Sequence, residues 1–451
     1  MWRVFSPGWY TRWLGRSSSE EARTIRLLYI EIFGAGVYNA IITFNGVYAL
    51  RLGASNQLIG WLSSVPSLVV ALFTLVAGQQ VERSQNRLAL VSRTVLLYRL
   101  GFLAIALMPL VVQEGRALVL VGLIILMAVP LPFINVGFNT VFAELVPPQR
   151  RSEVVSWRNI ILGGTITTVA FLAGRGLDAL PFPQNYQLLY FIAFLGGLQS
   201  QYFFQKIKPP GAPVPADAPP KPPPRLSWTA ARRLFQDNPG FLRITLNTFI
   251  YGIGPWMVTP LFSIYYVREL GASNAWVGAL TAIINLTGIV GYYVGRKVVR
   301  RWGERPVLAW STIAAGLYPG LITLSPILDP ILVLGGLYGI ANSGLNLSHY
   351  STLLKVIPEG QRPMGLAFYN LIMFTGAFVS PLVAVALADV VGVRPMLIVG
   401  TMFWVTGGLM HLLRPADPKP KLQPVEPPTE AVGEQVEAED GHEEGPGGDE
   451  R

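Results

Sequence analysis

The feature that most constrains this chain is a recurring run of about 20 apolar residues, the length a helix needs to cross the hydrocarbon core of a bilayer. Such runs lie at Leu27 to Leu50, Leu58 to Gly78, Leu88 to Val112, Leu118 to Phe142, Val154 to Leu177 and Tyr186 to Phe204. A second set lies at Phe241 to Val267, Trp276 to Val299, Val307 to Leu328, Ile331 to Val356, Gly365 to Val391 and Pro395 to Leu413. With 51% hydrophobic and 14% charged residues, the chain has too little polar material to cover soluble domains of its length. The expected class is therefore an all-α integral membrane protein with 12 transmembrane helices in two six-helix halves.

The absence of cysteine excludes thiolate metal sites, disulfide frameworks and cysteine nucleophiles. The net charge of +9 is not a nucleic-acid signal once its distribution is considered. From Asp417 to Arg451 there are 11 acidic and 3 basic residues, which leaves 32 basic against 15 acidic in the remainder. That surplus sits in short loops between apolar runs, as in cytoplasmic loops of membrane proteins rather than phosphate-binding grooves. Arg3, Arg12, Arg16, Arg23 and Arg26 precede the first run, and Arg83, Arg87, Arg150, Arg151, Arg300, Arg301, Arg305 and Arg362 follow even-numbered ones. The opposite loops hold little beyond Arg51, Arg116, Arg175, Arg268 and Arg394, so both termini are expected in the cytoplasm of a multi-pass plasma-membrane protein.

The organisation reads as a cytoplasmic N-terminal segment 1–26, a first half 27–205, a linker 206–240, a second half 241–414 and an acidic tail 415–451. The linker contains KPPGAPVPADAPPKPPPR, too proline-dense for a helix and suited to an extended polyproline conformation. The tail is rich in Pro, Gly and Glu, a composition expected to stay disordered.

The halves repeat one another. RLGASNQLIG starts at Arg51 and RELGASNAWVG at Arg268, which puts the two LGAS strings 218 residues apart. VPPQRRSEVVSWRN from Val146 matches IPEGQRPMGLAFYN from Ile357 at a spacing of 211, which also pairs Asn135 with Asn346. On these residues the chain resembles the major facilitator superfamily over Thr24 to Arg414. The resemblance implies two six-helix halves, joined by a cytoplasmic linker, that enclose a central cavity.

That family carries a GxxxDRxGRR motif after its second helix. Here GQQVERSQNR supplies Gly78, Arg83 and Arg87, with Glu82 in place of Asp and Gln85 in place of the inner Gly. The second copy, RKVVRRWGER, keeps Arg301, Gly303 and Arg305 but has Arg300 at the acidic position. Glycine permits close approach, an acid can engage a facing helix N-terminus, and arginines hold the loop at an anionic surface. Glu82 is expected as a conformational latch, its alternative being an ordinary solvated acid. The GxxxGPxxGG pattern common in drug antiporters is not matched in span 5, where Gly163 and Gly164 lack the GP step.

Polar residues inside apolar spans are costly and face a cavity or another helix. At about 100° per residue, Glu31, Tyr38 and Asn45 share a face of span 1. Asn135 and Asn139 share one of span 4, Asn247 and Tyr251 one of span 7, and Asn342, Asn346 and His349 one of span 10. The resemblance implies that helices 1, 4, 7 and 10 line the cavity, so these residues are the substrate-cavity candidates. Amides and phenols suit a neutral or amphiphilic cargo read by hydrogen bonds and aromatic contact. Glu31 has two readings, a proton-coupling site and a fixed partner for Arg158. Arg99, near the middle of span 3, is expected in a structural contact, and His349 is a second titratable group without a visible partner.

The leading expectation is a secondary transporter working by alternating access, with protons as a candidate coupling ion; the competing one is a transporter-like sensor or scaffold without flux. No GxxxxGK[ST] loop, metal-ligand spacing or convergent catalytic set is present, so no cofactor, metal or enzymatic activity is expected. The expected partners are a small-molecule substrate and the lipid bilayer, not nucleic acid, with the chain acting as a monomer.

Overall fold

The computed structural model describes residues 19–84, 86–207, 228–357 and 362–415. The first 18 residues of the N-terminal segment, residues 208–227 of the proline-dense linker, the loop 358–361, Gln85 and the acidic tail from Ala416 onward lie outside the described residues.

Twelve long helices stand among the described residues, one for each apolar run. In the first half these are α1 (Ser19–Ile42, resuming as Asn45–Arg51), α2 (Asn56–Arg83), α3 (Arg87–Val111), α4 (Arg116–Met127, resuming as Leu131–Leu145), α5 (Pro148–Ala179) and α6 (Gln184–Gln205). The second half holds α7 (Pro239–Ile264), α8 (Asn274–Trp302), α9 (Glu304–Thr323), α10 (Asp329–Val356), α11 (Arg362–Val391) and α12 (Val393–Leu413). Ten of the twelve are long and apolar enough to cross a membrane by composition; α6, with its five glutamines, and α7, which contains Arg243, are the other two. Leu110, Val111, Leu172, Leu337 and Trp310 are among many large apolar side chains left on the outside, as a lipid-facing surface requires.

Local sequence explains where the structure departs from the expected runs. α4 breaks at Ala128–Pro130 because Pro130 has no N–H for the helical ladder, and Pro132 then sits in the first turn of the second piece. α9 ends at Thr323 although apolar residues continue to Leu328; there Ser325 Oγ donates to the Ile327 carbonyl and turns the chain. The linker is not extended throughout, since Trp228–Asp237 forms a short amphipathic helix. Its Leu234 packs with Phe241, Ile244, Leu353 and Tyr369 in a small core of the second half.

The repeated LGAS strings have a common local role. Gly53 and Gly271 adopt φ of +84° and +65°, where a Cβ is disfavoured, and the following serines cap the next helices. Ser55 Oγ accepts from Leu58 N at 3.2 Å, and Ser273 Oγ from Trp276 N at 3.1 Å. The second copy has one residue more, Glu269, absorbed as a π turn at Tyr265–Glu269. Residues before this turn therefore repeat at a spacing of 217, as Arg51 and Arg268 do.

Within the halves, α1 packs on α5 and α6, and α7 on α11 and α12. Between them, α5 meets α8 and α2 meets α11. The α5–α8 crossing is a backbone approach: a Cβ on Gly174 would strike the Asn274 carbonyl, and one on Gly278 the Ala170 carbonyl.

Candidate functional site

Glu31 lies in α1, buried, and holds two partners. Its Oε2 accepts from Arg158 Nη1 of α5 at 3.0 Å, and its Oε1 from Ser200 Oγ of α6 at 2.8 Å. Arg158 also donates to the Leu28 carbonyl at 2.9 Å and lies 4.7 Å from the centroid of Phe138 in α4. A buried ion pair stands only when further hydrogen bonds satisfy the charges, and here they do. The fixed-partner reading of Glu31 is the one realised in this state.

The internal repeat carries these four positions into the second half. Glu31 maps onto Thr248 at a spacing of 217, while Phe138, Arg158 and Ser200 map onto His349, Tyr369 and His411 at 211. These residues also gather. Thr248 Oγ1 lies 3.0 Å and Tyr369 Oη 3.1 Å from His349 Nε2. The His349 ring meets Tyr251 edge-on at 5.9 Å, and Tyr251 lies 6.0 Å from His411. The first half thus holds an ion pair where the second holds hydroxyls and imidazoles.

The structure distributes the lining candidates unevenly. Tyr38 is half-buried and lies over the Arg99 guanidinium at 3.8 Å. Asn45 accepts from Tyr190 Oη at 2.6 Å. Asn135, Asn139 and Asn346 are exposed, and Asn342 is half-buried. Asn247 is 1% exposed, and its Nδ2 donates to the Arg414 carbonyl at 3.2 Å and lies 3.5 Å from His411 Nδ1. Its neighbour Thr248, about 100° further round the helix, reaches His349 instead. Thr248, Tyr369, His411 and Ser200 were not among the sequence candidates. An apolar groove of about 530 Å³ between α8, α9 and α10 is lined by none of these residues and opens beside the exposed Trp310 and Leu337 on the lipid side.

A set of hydrogen bonds joins the halves at the face of the bundle opposite the one where α1 begins and α12 ends. Arg51 Nη2 donates to the Ala272 carbonyl at 3.2 Å, and its repeat mate Arg268 donates to the Ala54 carbonyl and to Asn56 Oδ1. Asp178 at the end of α5 accepts from Asn274 Nδ2 at 2.7 Å, Asn274 N at 3.1 Å and Ala275 N at 2.7 Å, capping α8 across the interface. Its mate Asp389, 211 residues on, accepts from Asn56 Nδ2 at 2.6 Å. Tyr186 Oη adds a bond to Asn274 Oδ1 at 2.6 Å. The repeated R(E)LGASN strings are therefore each other's docking partners.

At the opposite face the loops after α2 and α8 are tied within their own halves. Arg87 pairs with Glu144 at the end of α4 and donates through Nε to the Val81 carbonyl at 3.2 Å. Glu304 accepts from Lys355 Nζ and Ser351 Oγ, each at 2.7 Å, at the end of α10. Glu144 and Lys355 are repeat mates of opposite charge. Gly303, at φ +84°, makes the one-residue turn between α8 and α9; Arg301 is exposed and Arg305 half-buried. Glu82 and Arg83 are exposed, and Glu82 forms no ion pair among the described residues. Gly78 has open space around its Cα, so its expected use in close packing is not made in this state.

Comparison with known proteins agrees with this architecture. The chain is 24% identical over 174 residues to the multidrug resistance protein MdtG of Proteus mirabilis (strain HI4320), a match that spans 38% of this chain and 41% of that relative. A bacterial homologue of the human lysosomal transporter Spinster, solved inward-facing and occupied, superposes with a TM-score of 0.65 at 13% identity over 88% of this chain and 97% of that one. The xylose transporter XylE from E. coli, solved inward open, gives 0.63 at 13% identity over 88% and 96%. The human organic anion transporter MFSD10 gives 0.58 at 14% over 87% and 100%. The sequence pattern of the family matches residues 28–243 and 244–437, nearly the whole of both halves, and the chain belongs to the Major Facilitator Superfamily of membrane transporters.

Proposed function

We propose that the chain is a secondary active transporter that carries a small amphiphilic solute across the plasma membrane, with its two halves rocking about a site between them. The observation that carries this reading is the one-sided seal. Paired Arg–carbonyl and Asp–Asn contacts join the halves at the far face, while at the other face Arg87 and Glu304 pair within their own halves. On this reading the sealed face is the far one, and the solute enters and leaves from the face that carries the termini. The arginine-rich loops favour the cytoplasm for that face, and the reading is accordingly of an inward-facing state.

Glu31 is the proton-coupling residue of this reading. Its carboxylate fixes Arg158 and Ser200; protonation cancels the charge that holds Arg158 and releases α5 and α6 from α1. Each solute carried would then be linked to one change of this pair. Tyr38, Asn45, Asn135, Asn139, Tyr251, Asn342, Asn346 and His349 supply phenol, amide and imidazole groups to the cargo, while Asn247 holds α7 to α12. The relatives' names span drug resistance, organic anions and xylose, so the cargo is read from these side chains.

The test is flux in proteoliposomes, with compounds first chosen by their effect on thermal stability of the purified chain. A compound that stabilises the protein should enter the vesicles under an imposed pH gradient and exchange in its absence. Binding without either movement would replace the transporter reading with that of a solute sensor.

A further inference from the structure

The first half contains a second buried arginine, and it lacks what Arg158 has. Arg99 sits at the middle of α3, 3% exposed, the depth at which a charge is most expensive. Its Nε and Nη1 are buried without a hydrogen-bond partner, and no carboxylate pairs with it among the described residues. A guanidinium is a cation with five N–H donors and no acceptor. What surrounds it is aromatic: the Tyr38 ring at 3.8 Å, the Tyr98 ring at 5.4 Å, and Gly197 of α6 against the aliphatic stem and Nε. Cation–π contacts are worth about 0.5–2 kcal/mol and leave the donor fork unspent.

The fold does not require a cation there. The loop before α9 is shorter than the one before α3, so the two helices start 217 residues apart at Arg87 and Glu304, and at that spacing the buried positions Val91, Val95, Tyr98, Arg99 and Ile105 fall on the buried Leu308, Thr312, Ala315, Gly316 and Ile322. Opposite Gly316 the Trp404 ring of α12 fills the space. The second half thus closes the corresponding interior with an indole, where the first half keeps an unneutralised fork of N–H donors behind one half-buried phenol.

We infer that Arg99 is an anion-binding group reached past Tyr38, and that the cargo carries a single carboxylate-like oxyanion on its apolar body. This deepens the transporter reading and rests on it. A planar oxyanion matches the guanidinium fork bidentately and brings the counter-charge that the protein withholds. Displacement of the Tyr38 ring exposes the fork on the face of α1 that also bears Glu31 and Asn45.

The experiment compares thermal unfolding of the full purified chain in benzoate and in benzamide, which differ only in the charged head. Benzoate should raise the unfolding temperature about 2 °C more than benzamide does near saturation. Arg99→Met should abolish that difference without lowering the unfolding temperature of the ligand-free protein, because it removes a charge with no partner; Arg99→Lys should keep part of the difference. Equal shifts by the two probes, a benzoate preference that survives in Arg99→Met, or a marked loss of ligand-free stability in Arg99→Met would each overturn the assignment, the last by identifying Arg99 as a structural brace. A benzoate preference that depends on Arg99 in a protein without flux would leave this site standing and remove only the transport reading.

Discussion

The clusters Glu31, Phe138, Arg158, Ser200 and Thr248, His349, Tyr369, His411 occupy the same four stations of the two halves, yet one is an ion pair and the other a set of neutral hydrogen bonds. The repeat has kept the geometry, with helices 1, 4, 5 and 6 converging as 7, 10, 11 and 12 do, and has let the chemistry diverge. The energetics diverge with it. Charges buried together depend on each other absolutely, and loss of one strands the other at about 3–5 kcal/mol. A neutral hydrogen bond contributes about 0.5–1.5 kcal/mol net. A station that gains or loses a proton therefore has leverage over helix packing in the first half that it lacks in the second.

The largest expected effect tests that leverage. Glu31→Gln leaves Arg158 buried and uncompensated, so thermal or denaturant unfolding should show a loss of about 3 kcal/mol or more. In proteoliposomes the same variant should lose pH-driven uptake while keeping exchange of a bound solute; uptake that still follows the pH gradient would remove Glu31 as the coupling site. Adding Arg158→Gln should restore most of the lost stability, since two neutral amides replace one orphaned charge, without restoring the pH drive. A double variant no more stable than Glu31→Gln would mean that the destabilisation arises elsewhere than in the pair.

His349→Phe gives the second half the residue that its mate Phe138 supplies in the first, and its effect should be smaller. Thr248 and Tyr369 lose the ring nitrogen they share, an expected loss of about 1–3 kcal/mol for buried hydroxyls left unmet. Uptake should slow without losing its dependence on the pH gradient. Were the pH drive itself abolished, the coupling chemistry would reside in both halves and the contrast between them would fail.

How much of this was legible in the sequence depends on the kind of signal. The twelve runs were, because burying apolar length in lipid leaves a periodic mark that no side-chain detail can hide. Arg158 could be named as a partner for Glu31 because buried charges demand one. The second cluster could not, because Thr, Tyr and His inside a helix carry no such demand and read equally well as packing. The one-residue insertion at Glu269 also concealed it: counted from the LGAS strings, Glu31 falls opposite Phe249, and only the spacing of 217 before the π turn brings it to Thr248. Asn247 shows a related effect, since its amide is met at the end of another helix, a use that its place on a polar stripe does not reveal. The ion pairs of the two loops are made by Glu144 and by Glu304, which stands at an arginine position of the motif, while Glu82, the acid that the motif letters single out, is exposed.

The smallest effects belong to the far-face seal, where the two halves can be set against each other residue for residue. Asp178 receives two backbone N–H groups and a side-chain amide at the start of α8, whereas Asp389 receives one exposed amide. Removing a helix cap costs about 1 kcal/mol, so Asp178→Ala should move the balance between sealed and open far face by about fivefold. Asp389→Ala, which gives up a single exposed hydrogen bond, should move it about twofold or less. The chain has no cysteine, so spin labels on a cysteine pair introduced across that face report the distance distribution without background. Neither variant should alter the pH dependence of uptake, because neither touches the Glu31 cluster. If Asp389→Ala opened the face as far as Asp178→Ala does, the capping of α8 would not be what distinguishes the two contacts; the seal would behave as one cooperative unit, and its strength would lie in the paired Arg51 and Arg268 contacts that the two variants leave in place.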